Sequence, residues 1–220
     1  MTDQSWLPFS RWNLRYNPFG ELTSSERASV AVFDVQPIAQ RLAEGQTAIQ
    51  FIGQCGRGKT TRVLALQYHL AIPSAATIYL PPLSWAIPRW WCKTLRIRGA
   101  PIIIDEAQRM PPPVRRSIFR RRVPLVLGTH RDLAAPLRRA GYRVFTHAVG
   151  PQNDACHVAK VTNARLCAAR LSAAEVPQVS IQDAQWLVAR FGDDLRRIES
   201  FLYHQVQQQV GCNGQMRFVD

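Results

Sequence analysis

The residues from Gly53 to Thr60, Gly-Gln-Cys-Gly-Arg-Gly-Lys-Thr, carry three glycines, an amine and a hydroxyl at the spacing G-x-x-x-x-G-K-[ST]. That spacing suits the cradling of a polyphosphate. Glycines let the backbone wrap so that successive N–H groups point at phosphate oxygens. A helix opening near Gly58 adds the positive end of its dipole. Lys59 can reach the β- and γ-phosphates and serve catalysis there, and the Thr60 hydroxyl can ligate Mg²⁺. Gly53, Gln54, Cys55, Gly56, Arg57, Gly58, Lys59, Thr60 and Thr61 are therefore the candidate nucleotide contacts, with ATP and Mg²⁺ as the expected cofactors. A second acidic stretch, "PIIIDEAQ" (101–108), supplies what a cradle alone lacks. An acidic residue ending a buried strand faces the edge of an open α/β sheet where ligands bind. Asp105 would hold the Mg²⁺ with Thr60, directly or through water. Glu106 would polarise the attacking water as general base.

The elements that must position these groups are legible as a rhythm. Five short apolar runs, at 47–53, 75–81, 100–106, 123–130 and 142–149, alternate with helical segments at 59–71, 113–122 and 130–141. Strand alternating with helix predicts an α/β fold, a five-stranded parallel sheet covered on both faces. "PIIID" shows no alternation, which suits a central strand buried on both sides. Ahead of the first strand, residues 30–45 predict a helix interrupted at Pro37 and ended by Gly45. After Gly150, "ACHVAKVTNARLCAARLSAA" and "IQDAQWLVARFGDDLRRIESFLYHQVQQQ" keep helical periodicity with no strand between them. The expected organisation is an N-terminal arm (1–28), an α/β core (29–150) and a small helical lid (151–220), with a boundary near 149–153. The arm should pack through Trp6, Phe9, Trp12, Tyr16 and Phe19.

Composition narrows the class. With 220 residues, 46% of them hydrophobic, the chain can bury one sizeable core and a small appendage. No run of about 18 apolar residues exists to span a membrane. The N-terminus lacks a cationic start followed by an apolar stretch, so no secretory leader is expected and a cytoplasmic location is. The cysteines, Cys55, Cys92, Cys156, Cys167 and Cys212, are odd in number and include no C-x-x-C pair, which argues against a zinc site or disulfide framework. The net charge of +13 is concentrated. Residues 1–85 hold seven basic and five acidic side chains, residues 86–150 fourteen and three, and residues 151–220 seven and seven. A positive field gathered in one third of the chain is the footprint of a polyanion partner.

Glutamate after aspartate, followed by a helical tail, resembles the AAA+ ATPases, and the likeness runs over residues 14–205. "VPLVLGTH" resembles the strand carrying sensor 1, the polar group that orients the lytic water, which would be Thr129, with His130 next. "GTHRDLAAPLRRAGYRVFTHAV" resembles a segment of the DNA-transposition ATPases of the Mu B and TnsC/TniB kind, and of relatives of the ExeA secretion ATPase. The resemblance implies an arginine serving a neighbouring subunit's γ-phosphate, at Arg143, with Arg131, Arg138 and Arg139 as alternatives. "GDDLRRIESFL" resembles the lid motif G-D-x-R and implies sensor 2 at Arg196 or Arg197. An ion pair of these arginines with Glu199 is the plain structural alternative. "LRYNPFGEL" resembles the arm that lies against the adenine. Its alternative is a proline turn packing Phe19 into a core. A trans arginine is worth about 10³–10⁵ in rate, so the resemblance implies slow turnover until subunits assemble as a ring or filament.

The basic third then acquires a purpose. Arg89, Lys93, Arg96 and Arg98 lie between the second and third strands, and in the transposition relatives the equivalent region contacts the DNA backbone. Trp90 and Trp91 could stack on bases or pack under the sheet. In "VRRSIFRRR", Arg115, Arg116, Arg120 and Arg122 should stay exposed while Ile118 and Phe119 point inward. No base-reading element is visible, so DNA binding should be backbone-driven and weakly sequence-selective. The expected function is an ATP-hydrolysing transposition or DNA-assembly helper that works with an unidentified partner protein. The alternative is a nucleotide-gated scaffold for secretion or signalling, its basic face meeting acidic protein. A DEAQ-type helicase is disfavoured, since such helicases pair two recombinase-like cores and 220 residues hold one. A metabolic kinase would need an acceptor pocket that "DEAQ" and the helical tail do not suggest.

Overall fold

Each of the five apolar runs becomes a strand in the computed structural model, which describes residues 7–82, 87–211 and 214–219. Trp6, expected to anchor the arm, and Cys212 lie outside the described residues. The strands are β1 (Thr47–Ile52), β2 (Thr77–Tyr79), β3 (Ile102–Asp105), β4 (Leu125–Thr129) and β5 (Arg143–Ala148). All pair in parallel, in the order β2-β3-β4-β1-β5. The chain divides into two units, one formed by residues 27–29 and 33–149, the other by residues 1–26, 30–32 and 150–220.

In the α/β unit the helices follow the expected alternation. The segment α2 (Gln36–Ala43) precedes β1, as does α1 (Ser24–Ser29), which is divided between the two units; α3 (Lys59–His69) and α4 (Ile87–Leu95) flank β2; α5 (Pro112–Phe119) and α6 (Ala134–Arg139) flank β4. Pro37 does not interrupt a helix but sits in the first turn of α2, where its missing N–H costs nothing. β3 and β4 are buried at every position, as two-sided cover requires. Ile102, Ile104, Leu125 and Leu127 join Val114, Ile118 and Phe119 of α5 and Leu137 of α6 in one core. The period-2 alternation turns Ile103 and Val126 to the opposite face, where α3 packs against β3 and β4. Register brings three strand ends together: Ile52 pairs with Thr129, and Ile104 with Leu127, so Asp105 ends β3 one residue beyond a paired position.

The second unit differs from the expected division into separate arm and lid. Residues 7–26 share a core with the helices α7 (Ala155–Ala168), α8 (Ile181–Phe191) and α9 (Leu195–Gln208). Phe9, Trp12, Leu14 and Phe19 are buried with Val158, Leu166, Leu187, Ile198 and Leu202. Tyr16, expected to pack, is 41% exposed. Leu14 and Arg170 form an antiparallel bridge, and buried Arg165 donates to Pro18 O at 2.8 Å and to Gly20 O. Arg165 also pairs with Glu199 at 2.7 Å, so the "NPFG" turn is pinned inside this unit. Each helix starts on a cap: Asp154 for α7, Ser180 with Asp183 in a capping box for α8, and Asp194 for α9.

Candidate functional site

The turn from β1 into α3 favours glycine at each of its three glycine positions. A Cβ at Gly53 would lie 2.2 Å from the Val149 carbonyl oxygen. Gly56 and Gly58 adopt φ of 79° and 98°, in the left-handed region that side chains disfavour. Gly58 then caps α3, whose first residue is Lys59. Lys59 is 5% exposed, and its Nζ donates to Gly53 O and Gln54 O, both at 2.8 Å. The ammonium is thereby drawn back over the turn it follows, instead of extending into solvent. Cys55 and Gln54 lie exposed at the tip, with Arg57 and Thr61 partly covered.

Thr60 joins this turn to β3. Its hydroxyl donates to Asp105 Oδ2 at 2.7 Å, and the Glu106 N–H donates to Asp105 Oδ1 at 3.0 Å. Asp105 is 3% exposed, and burial raises its carboxyl above the usual carboxylate range; the hydrogen bonds from Thr60 and Glu106 and the charge of Lys59 oppose that rise, while the Glu106 charge adds to it. A hydroxyl and a carboxylate that is costly to ionise alone make a fitting pair for a hard divalent cation, which takes few protein ligands and keeps phosphate and water oxygens. Gly128 on β4 makes room for this carboxylate, because a Cβ there would lie 2.0 Å from Asp105 Oδ1.

Glu106 follows with φ 58°, an uncommon left-handed conformation for a residue with a side chain. Its buried carboxylate accepts from Gln108 Nε2 at 2.7 Å, pairs with Arg109 at 2.9 Å and meets His130 Nε2 at 3.3 Å. Gln108 Oε1 also accepts from the His130 backbone N–H at 3.2 Å, and His130 Nε2 lies 3.7 Å from Cys55 Sγ. The imidazole just past β4 therefore touches both the Glu106 carboxylate and the glycine-rich turn. Thr129, the first choice for that polar group, is buried with its hydroxyl bonded to the Arg131 backbone on both sides, donating to the carbonyl at 2.8 Å and accepting from the N–H at 3.1 Å. Neighbouring residues at a strand end point opposite ways, and the structure turns His130 toward Glu106.

The arginines assigned by resemblance lie elsewhere. Arg143 pairs in register with Thr47, at the start of β1, whereas the glycine-rich turn follows Ile52 at its end. Five residues of strand separate them, about 16 Å. Arg143 also forms a surface ion pair with Glu44. Arg131, Arg138 and Arg139 are exposed. Arg196 and Arg197 belong to the helical unit, both exposed, with Arg197 5.7 Å from the Phe191 ring. Glu199 pairs with Arg165 in place of either.

The basic segment is built from two helices. Pro88, Arg89, Cys92, Lys93 and Arg96 line a groove of about 390 Å³ along α4. Trp90 and Trp91 turn the other way and pack against the sheet core, with Lys93 Nζ 4.9 Å from the Trp90 ring. On α5 the apolar Val114, Ile118 and Phe119 are buried, Arg116 and Arg120 are exposed and Arg115 is half-buried; Arg98 and Arg122 are exposed in the loops beyond. Arg121, absent from the sequence expectations, donates to Ile97 O at 2.6 Å and to Leu95 O, tying the segment after α5 to the last turn of α4. No local spacing marks that role; a cation on terminal helix carbonyls is a tertiary contact. Among the described residues, Cys55, Cys92, Cys156 and Cys167 are unpaired, no cluster of three His, Cys, Asp or Glu side chains gathers for a metal, and no helix is long and apolar enough to cross a membrane.

The chain matches no protein-family model and no curated protein.

Proposed function

We propose that this chain is an ATP hydrolase of the AAA+ type that binds DNA through the α4–α5 surface. One observation carries the hydrolase reading: the Thr60 hydroxyl, two residues past a glycine-lined turn, meets Asp105 at 2.7 Å, with Glu106 the next residue in the chain. A turn of positive-φ glycines, a lysine folded over it, and paired hydroxyl and carboxylate groups suit a nucleotide triphosphate with Mg²⁺. The N–H groups of residues 54–60 and Lys59 would hold the phosphates, while Thr60 and Asp105 would hold the cation. Bound there, Mg²⁺ would neutralise charge on the β- and γ-phosphate oxygens. Glu106 would accept the proton of the attacking water, and His130 would orient that carboxylate from the opposite side.

The basic surface supports the choice of partner. Exposed Arg89, Lys93, Arg96, Arg98, Arg116, Arg120 and Arg122 come from one stretch of chain and two helices that pack together. Phosphodiester backbone is the polyanion that such a surface suits without base reading. Arg143 is too far along the sheet to serve its own chain's turn, so a role at a phosphate would require a second copy. The test is steady-state ATP hydrolysis with and without duplex DNA at two salt concentrations, beside Glu106→Gln. Hydrolysis that DNA stimulates, that salt suppresses and that Glu106→Gln abolishes is the expected result. A rate indifferent to DNA would instead assign the basic surface to an acidic protein partner.

A further inference from the structure

Beside Glu106 a sulfur and an imidazole nitrogen meet, two ligands far softer than the oxygens of Thr60 and Asp105. His130 Nε2 lies 3.7 Å from Cys55 Sγ and 3.3 Å from Glu106 Oε1. A tetrahedral zinc-class ion sits about 2.3 Å from a thiolate sulfur and about 2.0–2.1 Å from an imidazole nitrogen, which sets those two atoms about 3.6 Å apart. The sulfur and the nitrogen therefore already stand at the spacing of a shared ion. Both are held from behind: Cys55 precedes Gly56 at φ 79°, and the His130 backbone N–H donates to Gln108 Oε1 at 3.2 Å. Cys55 is exposed and the His130 side chain keeps 26% of its surface open, so an ion can reach them from solvent. Thiolate and imidazole select ions of the zinc class, whereas the oxygen pair of Thr60 and Asp105 suits Mg²⁺.

We infer that Cys55 and His130 form a second cation site, one for soft divalent ions of the zinc class, and that filling it silences the hydrolase. The silencing rests on the proposed hydrolase with Glu106 as base; the site itself rests on the spacing and exposure of its two ligands. Two protein ligands leave the remaining positions of the tetrahedron to water. On binding, the Cys55 thiol gives its proton to solvent and the thiolate forms the sulfur–metal bond. His130 gives its Nε2 lone pair to the ion and carries its ring proton on Nδ1, so Nε2 no longer donates to Glu106 Oε1. No group is oxidised or reduced. The carboxylate loses the contact that orients it and gains a divalent charge beside Oε1, which lowers its readiness to take a proton from water. The ion also ties the tip of the glycine-rich turn to the residue just past β4, where a bound phosphate would need that turn free.

The experiment titrates cobalt(II) and then zinc into the full-length chain, Cys55→Ser, His130→Gln and Cys92→Ser, with Mg²⁺ present throughout. Cobalt stands in for zinc because its thiolate charge-transfer band reports the sulfur bond directly. The parent should show this band at one ion per chain, and zinc should displace it. Cys55→Ser should lose the band. His130→Gln should weaken binding by at least the about 10–100-fold that loss of a supporting contact costs a metal site, and it carries the test alone if Cys55→Ser does not fold. Cys92→Ser, which removes an exposed thiol elsewhere, should match the parent. ATP hydrolysis is then followed against zinc, each protein compared with its own zinc-free rate. The zinc concentration that halves the rate should rise about tenfold or more in Cys55→Ser and His130→Gln. A band that survives in Cys55→Ser, or parental affinity in His130→Gln, overturns the site. A filled site with hydrolysis unchanged overturns the silencing. A parent that hydrolyses no ATP even without zinc overturns the hydrolase reading instead, and the cobalt band still decides the site.

Discussion

The tightest packing around the candidate site lies behind Asp105, and it makes Gly128→Ala an informative change. The added methyl would lie 2.0 Å from Asp105 Oδ1, 3.1 Å from its Cγ and 3.5 Å from its Cα. An ordinary carbon–oxygen approach is about 3.3 Å or more, so the contact is short by more than 1 Å. The backbone cannot yield easily, because β4 is paired on both sides, with β3 and β1. Asp105 must therefore rotate, breaking its bonds from Thr60 Oγ1 and the Glu106 N–H. Overpacking costs about 1–3 kcal/mol, and a buried carboxylate stripped of partners adds about 1–3 kcal/mol. Together these make about 2–6 kcal/mol, and at about 2–4 °C per kcal/mol for a chain of this size the melting point should fall by roughly 4–24 °C. Gly20→Ala, where the nearest atom is the Asn17 carbonyl oxygen at 3.4 Å, is the tolerant control. The double variant Gly128→Ala/Asp105→Ala isolates the cause, since deleting the carboxyl vacates the space that the methyl needs. It should be more stable than the sum of the single changes by about 1 kcal/mol or more in a double-mutant cycle followed by chemical denaturation. Additive losses, or a Gly128→Ala protein melting within a degree or two of the parent, would refute this account of Asp105.

Other expectations test the sheet, its titratable groups and the basic surface. Buried Gln50 donates to Asp132 Oδ1 at 2.6 Å and Thr146 Oγ1 at 2.8 Å and accepts from the Leu133 N–H at 3.0 Å, so Gln50→Leu should cost about 2–4 kcal/mol in denaturant titrations despite adding apolar bulk. His147 is held below its ordinary pKa of 6.5 by burial, then by the charges of Arg41 and Arg62, so its protonation favours the unfolded chain. Its contribution is intact above about pH 6.5 and is lost as pH falls toward the lowered value. His147→Gln should therefore flatten the fall of melting temperature below pH 6.5, and an unchanged slope would contradict the assignment. On and just past α4, single Arg89→Ala, Lys93→Ala and Arg96→Ala changes should each lower the slope of log K against log salt for DNA binding by about one, equally for unrelated sequences. A loss confined to one sequence would indicate base reading.

What local sequence determined is what local physics controls. The glycine-rich turn was legible because positive φ at Gly56 and Gly58 favours glycine and the 2.2 Å approach at Gly53 leaves no room for a Cβ. The central strands β3 and β4 were legible because a strand buried on both faces is apolar, as β3 is from Ile102 to Ile104. Even so, β2 spans only Thr77–Tyr79 of the apolar run from 75 to 81, since pairing with β3, not composition, sets where it ends. Tertiary structure decided everything that depends on residues distant along the chain. Strand order put β1 between β4 and β5, which set Arg143 at the far end of the sheet from the turn. The N-terminal segment joined the helical unit because Arg165 and the α9 face satisfy the carbonyls and aromatics around "NPFG". His130 rather than Thr129 meets Glu106, because Thr129, the last residue of β4, and His130, the next, alternate sides and only the neighbouring strand determines which side matters. Arg109 and Arg121 acquired their partners from the ends of β2 and α4, where terminal carbonyls accept from donors that no sequence period reveals.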